Sequence, residues 1–122
     1  VGTPVPHPAE HALTTEVDGR AATVVLRGDL DVAAVGWLRV GLRDALSRGP
    51  RALVVDLGGV TLCAAAALHV LLEATADAET AGVPWAVVAG GPAARRAIEA
   101  AGLVDRLHPV PSAAAAPWLS DR

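Results

Sequence analysis

The stretch ALVVDLGGVTLCAAAALHVLL, Ala52–Leu72, decides how this chain is read. Ala52 to Leu57 is an apolar run interrupted only by Asp56, of a kind suited to a strand buried on both faces. Gly58-Gly59 reads as the following turn, and an apolar helix is expected from about Ala64 to Thr80, ended near Gly82. The junction between them is unusual. The first turn of a helix leaves backbone N–H groups without partners, and Ser, Thr, Asp or Asn usually caps them. Here Cys63 and the four alanines Ala64 to Ala67 stand in that place.

Working outward, ALTTEV (Ala12–Val17) and AATVVL (Ala21–Leu26) have strand character, and Asp18-Gly19 between them is a two-residue hairpin signal. Gly28-Asp29-Leu30-Asp31 reads as a polar loop. A helix follows from about Val32 to Ser47, with Val35, Leu38, Leu42 and Leu46 at helical spacing and Asp31 as its N-cap. Ser47-Arg48-Gly49-Pro50 ends it. Beyond the central helix, Trp85–Ala89 reads as a buried strand. Pro92 or Ala93 opens a helix that Gly102 closes, the usual placing of proline and glycine. Arg106–Val110 suggests a short last strand, and Ser112–Leu119 a last helical turn weakened by Pro117. Strands alternating with helices imply an α/β fold with right-handed crossovers. In such folds the functional edge lies at the carboxyl ends of the strands. Two loops qualify, Gly28–Asp31 and Gly58–Ala67.

Composition bounds the function. The 122 residues suit one domain; 52% are hydrophobic and 19% charged, enough for a core and too little charge for a disordered chain. A net charge of −3 argues against a nucleic-acid binder. The single cysteine, Cys63, allows neither an internal disulfide nor a cysteine-based zinc site, and suits a reducing compartment. No apolar run approaches the roughly 18 residues that span a bilayer. Val1–Glu10 is proline-rich and lacks a basic, apolar leader, so a cytoplasmic protein without membrane insertion is expected. All ten basic residues are arginine, and Lys, Phe, Tyr, Met, Asn and Gln are absent. That bias suggests a GC-rich, actinobacterium-like source. Drift toward alanine is one explanation of the alanine run, although Ser, Asp and Gly also have GC-rich codons.

The chemistry-bearing residues have simple readings. Asp29 and Asp31 could be acid–base groups or metal ligands, but a glycine turn with an N-cap accounts for them. Gly90-Gly91-Pro92 precedes a helix yet lacks the spacing of a nucleotide loop. Cys63 is a small core residue unless the helix start lowers its pKa. His7, His11, His69 and His108 show no metal or triad spacing. Arg95-Arg96 suits a solvated helix face. No catalytic set, cofactor site or metal site emerges, and no enzyme is expected.

Four elements together resemble the STAS domain, the family of sulfate-transporter and anti-sigma-factor-antagonist domains. Val24–Asp31 (VVLRGDLD) looks like its strand ending in a Gly-Glu-Leu-Asp loop. Arg51–Thr61 (RALVVDLGGVT) is similar to its second core strand and turn. Ala67–Leu72 (ALHVLL) fits the start of its central helix, and Pro92–Leu103 (PAARRAIEAAGL) its third helix. The resemblance implies a STAS-type sandwich, with a mostly parallel central sheet of about four or five strands and about four helices. It divides the chain into a flexible arm (1–11), the domain (12–110) and a tail or short helix (111–122).

The resemblance also implies a job. Bacterial members bind an anti-sigma factor that is a histidine-kinase-like ATPase, and are released when it phosphorylates a serine in an Asp-Ser-Ser-Gly-Leu segment. Anchored on Leu68 and Val70-Leu71-Leu72, that Asp falls at Ala64, the phosphorylated Ser at Ala65, the second Ser at Ala66 and the Gly at Ala67. Ala65 has no hydroxyl and cannot take a phosphate. Thr61, the nearest hydroxyl, sits before the junction and is not expected to substitute. His69 replaces a family glycine, Asp31 matches the loop aspartate, and Asp29 replaces its glutamate. The implied partner surface is therefore Asp29, Asp31, Cys63, Ala64, Ala65, Ala66 and His69. The expected function is an anti-sigma-factor antagonist without the usual phosphoserine. The alternative is an accessory subunit of an ATP-driven lipid transporter or a stress-sensing assembly. Homodimerisation is left open by Trp37 and Trp118.

Overall fold

A computed structural model describes residues 2–6, 12–17 and 21–112. The elements run β1 (Gly2–Pro6), β2 (Ala12–Val17), β3 (Ala21–Leu30), α1 (Val35–Ser47), β4 (Ala52–Cys63), α2 (Ala65–Thr80), β5 (Trp85–Val88), α3 (Pro92–Ala100) and α4 (Val104–Leu107). A 3-10 turn, Val32–Ala34, leads into α1. The five strands form one sheet in chain order. β1–β2 and β2–β3 are antiparallel, whereas β3–β4 and β4–β5 are parallel. The expected α/β fold is present, with its parallel part confined to three strands. Helices fill the β3–β4 and β4–β5 connections because parallel neighbours need a crossover.

Burial follows the strand period. Ala22, Val24 and Leu26 of β3, Leu53, Val55 and Leu57 of β4, and Val87 of β5 enter one core cluster. Leu38 and Leu42 of α1 join them, with Val35 and Leu46 packed half-buried alongside. From α2 come Ala67, Leu68, Val70, Leu71 and Ala74. Ile98 of α3 and Leu107 of α4 complete it. Ala52 to Val55 are all buried, as expected for a strand covered on both faces.

Four expectations are corrected. Gly28-Asp29-Leu30 is strand rather than loop, and β4 runs on past Leu57 to Cys63. Their parallel ladder continues through Gly28↔Val60, Asp29↔Leu62 and Leu30↔Cys63, so main-chain pairing overrides the glycine signals. Two register shifts accommodate it, helped by Gly28 at φ 85°. The last strand is replaced by α4 and a single parallel bridge from Val110 to Val88. His108, at φ 45°, turns the chain between them. Part of the arm expected over 1–11 is instead β1, which covers the outer edge of β2; its prolines are tolerated on an edge strand. The Asp18-Gly19 turn, His7, His11 and the helical turn expected after Ser112 lie outside the described residues.

Candidate functional site at the ends of the parallel strands

The extended ladder brings both candidate segments to one edge. Leu30 pairs with Cys63, and the Ala64 N–H donates to the Leu30 carbonyl at 2.8 Å. The start of α2 is thereby tied to the end of β3, one residue before Asp31.

Asp31 serves as the N-cap of the 3-10 turn. Its extended backbone (φ −93°, ψ −175°) lets Oδ1 accept from the Ala34 N–H at 3.2 Å. Asp29 has a different holder. Thr61 Oγ1 donates to Asp29 Oδ1 at 2.6 Å, across 32 residues of sequence. Sequence reasoning missed this pair, because only the strand register brings the two residues together. It also missed two exposed apolar side chains beside the carboxylates. Val32, 72% exposed, follows Asp31, and Leu62, 47% exposed, is the register partner of Asp29.

At the head of α2, Ala64 takes the extended N-cap conformation (φ −72°, ψ 156°) with no side-chain cap. Its carbonyl accepts from the Ala67 and Leu68 N–H groups at 3.0 and 3.2 Å. Ala65 is exposed, Ala64 and Ala66 are half-buried, and Ala67 is buried. The edge is therefore a smooth methyl surface where polar side chains usually stand. Cys63 is half-buried against the core, and burial pushes its thiol up to about 11. It is protonated at neutral pH, the opposite of an activated cysteine.

His69 is exposed in the second turn of α2, on the side that carries Glu73. Arg39 of α1 forks onto Glu73 at 2.8 and 3.1 Å, tying α1 to α2. That hydrogen bond holds the Glu73 carboxyl below its usual value, with smaller contributions from the charges of Arg43 and His69. His69 thus lies on the face of α2 that carries Glu73, and among the described residues no hydrogen bond or ion pair joins it to Asp29 or Asp31. The Gly90-Gly91-Pro92 segment is a tight connection: a Cβ on Gly91 would lie 2.9 Å from the Gly58 carbonyl oxygen. Among the described residues, no three His, Cys, Asp or Glu side chains group as metal ligands. No helix among them is long and apolar enough to cross a membrane.

Comparisons with known proteins place this geometry. A family model described as "Mlab, STAS domain" matches residues 13–109. No curated protein sequence matches. Among solved structures, an anti-sigma factor antagonist from Mycobacterium paratuberculosis superposes with TM-score 0.80 at 23% identity, over 97% of this chain and 100% of that one. A putative anti-sigma factor antagonist from Thermotoga maritima gives TM-score 0.77 at 14% identity, covering 88% and 93% of the two chains. The anti-sigma factor antagonist SpoIIAA in its unphosphorylated form gives TM-score 0.67 at 15% identity, over 80% and 87%. At these identities the structural likeness is one of fold.

Proposed function

Because the chain belongs to the STAS domain family, we propose that it works by binding rather than by catalysis, as an anti-sigma-factor-antagonist-like protein that cannot be phosphorylated at the usual place. The proposed partner is an anti-sigma factor of the histidine-kinase-like ATPase type, in the cytoplasm. It docks on the edge formed by Asp29 and Asp31, the segment Cys63–Ala66 and, one turn further along α2, His69. The observation that carries this reading is the exposed, hydroxyl-free Ala65 in the first turn of α2, a segment tied through the Ala64 N–H to Leu30, which stands between Asp29 and Asp31. A phosphate would add about −1.5 to −2 charges, enough to expel such a partner from an acidic edge. Without an acceptor at position 65, docking persists when the kinase holds ATP.

The same methyl surface suits a second reading, an accessory STAS subunit of an ATP-driven lipid transporter or stress-sensing complex, which needs no phosphoserine. Affinity capture from the source cell's lysate, with ATP and then with ADP, separates the two by mass spectrometry. A histidine-kinase-like anti-sigma factor held equally in both nucleotides is the expected result. Recovery of a transport ATPase instead would replace the first reading with the second.

A further inference from the structure

Asp29 is held by the neighbouring strand, and the β3–β4 register explains how. Gly28 pairs with Val60 and Asp29 with Leu62, so Thr61 falls in the shift between them as an extra residue on β4. Such bulges re-aim a side chain out of the regular pleat. Here the re-aimed group is a hydroxyl, and it donates to Asp29 Oδ1 at 2.6 Å. Threonine is stiff at χ1, so the hydroxyl has little freedom to leave. Leu62, the next residue, stands 47% exposed beside the pair.

We propose that Thr61 is a positioning residue for Asp29. Its hydroxyl occupies Oδ1 and fixes the carboxylate rotamer. Oδ2 is thereby presented to a cationic side chain of the partner, an arginine or lysine whose stem lies on Leu62. A carboxylate held in advance loses less rotamer freedom on binding than a mobile one. The inference rests on the reading above, in which Asp29 faces the partner.

The test has one arm without the partner and one with it. In the isolated, isotope-labelled chain, side-chain couplings should show a single Asp29 χ1 rotamer. Thr61→Val should average it, and Thr61→Ser should restore it. Averaging in the unmodified chain, or a single rotamer in Thr61→Val, overturns the proposal and leaves the docking edge standing. With the captured partner, Thr61→Val should weaken binding about 3- to 10-fold, Thr61→Ser less than about 2-fold, and Thr61→Val should cost nothing further in an Asp29→Asn background. An equal loss in that background overturns the coupling. Undiminished binding by Asp29→Asn alone removes both this inference and the contact role of Asp29.

Discussion

Alanine at the head of α2 removes chemistry while keeping the helix. Ala64 already adopts the N-cap backbone, so only a side-chain acceptor is missing. Replacing Ala64 by Asp should restore a cap and raise stability by about 0.5–2 kcal/mol, read as a higher urea midpoint. Adding Ala65→Ser should create a phosphate acceptor in the proposed register, seen by intact mass after incubation with the captured kinase and ATP. Binding without phosphate incorporation would show that the register is wrong. Cys63 gives a second test at this scale. Its folded pKa, about 11, lies above the ordinary 9.0. The folded state then holds its proton more tightly than the unfolded one, so the contribution to stability is complete below pH 9 and is lost as pH rises toward 11. The urea midpoint should fall across that window, and the Cys63-linked part of the fall should vanish in Cys63→Ala. Native thiol alkylation at pH 7 should be slow and should accelerate on unfolding.

At the scale of elements, one carboxylate can serve structure and recognition together, and the two roles can be separated. Asp31 caps the turn that starts α1, so Asp31→Ala should cost about 1 kcal/mol in urea unfolding. Asparagine caps as well as aspartate, so Asp31→Asn should stay within about 0.3 kcal/mol of the unmodified protein. Partner affinity lost in Asp31→Asn therefore reports charge at the interface, whereas affinity lost only in Asp31→Ala reports the turn. The cap was legible because it is local: an Asp directly before an apolar helical pattern. The strand extensions were not legible for the opposite reason. Gly28, Gly58 and Gly59 signal loops when read along the chain, but the β3–β4 ladder joins residues 31 to 33 apart and continues past them. The Thr61–Asp29 bond is a product of that ladder and left no pattern in either segment. Likewise Arg106–Val110 reads as a strand although Arg106 and Leu107 end α4, because Val104–Leu107 is too short to show a helical period.

For the whole molecule, the parallel part of the sheet with its crossover helices was readable because apolar runs and helical stripes alternate regularly. What the sequence pattern leaves open is which helices share a core. Leu38 and Leu42 of α1, Leu68 and Leu71 of α2, Ile98 of α3 and Leu107 of α4 all enter one buried cluster with the sheet. A single cluster makes the strand-end surface dependent on packing far from it: α3 cannot loosen without disturbing the core under α2. Ile98 is fully buried, and Ile98→Ala should cost about 2–5 kcal/mol. Domains of this size hold about 5–15 kcal/mol in total, so the variant should unfold at markedly lower urea. The sharing of one core adds a stricter expectation. Far-UV circular dichroism, which reports all the helices, and tryptophan fluorescence should shift together to one new midpoint. If α3 instead melted first, circular dichroism would lose amplitude before the fluorescence moved. The picture of one cooperative scaffold presenting a rigid binding edge would then be wrong.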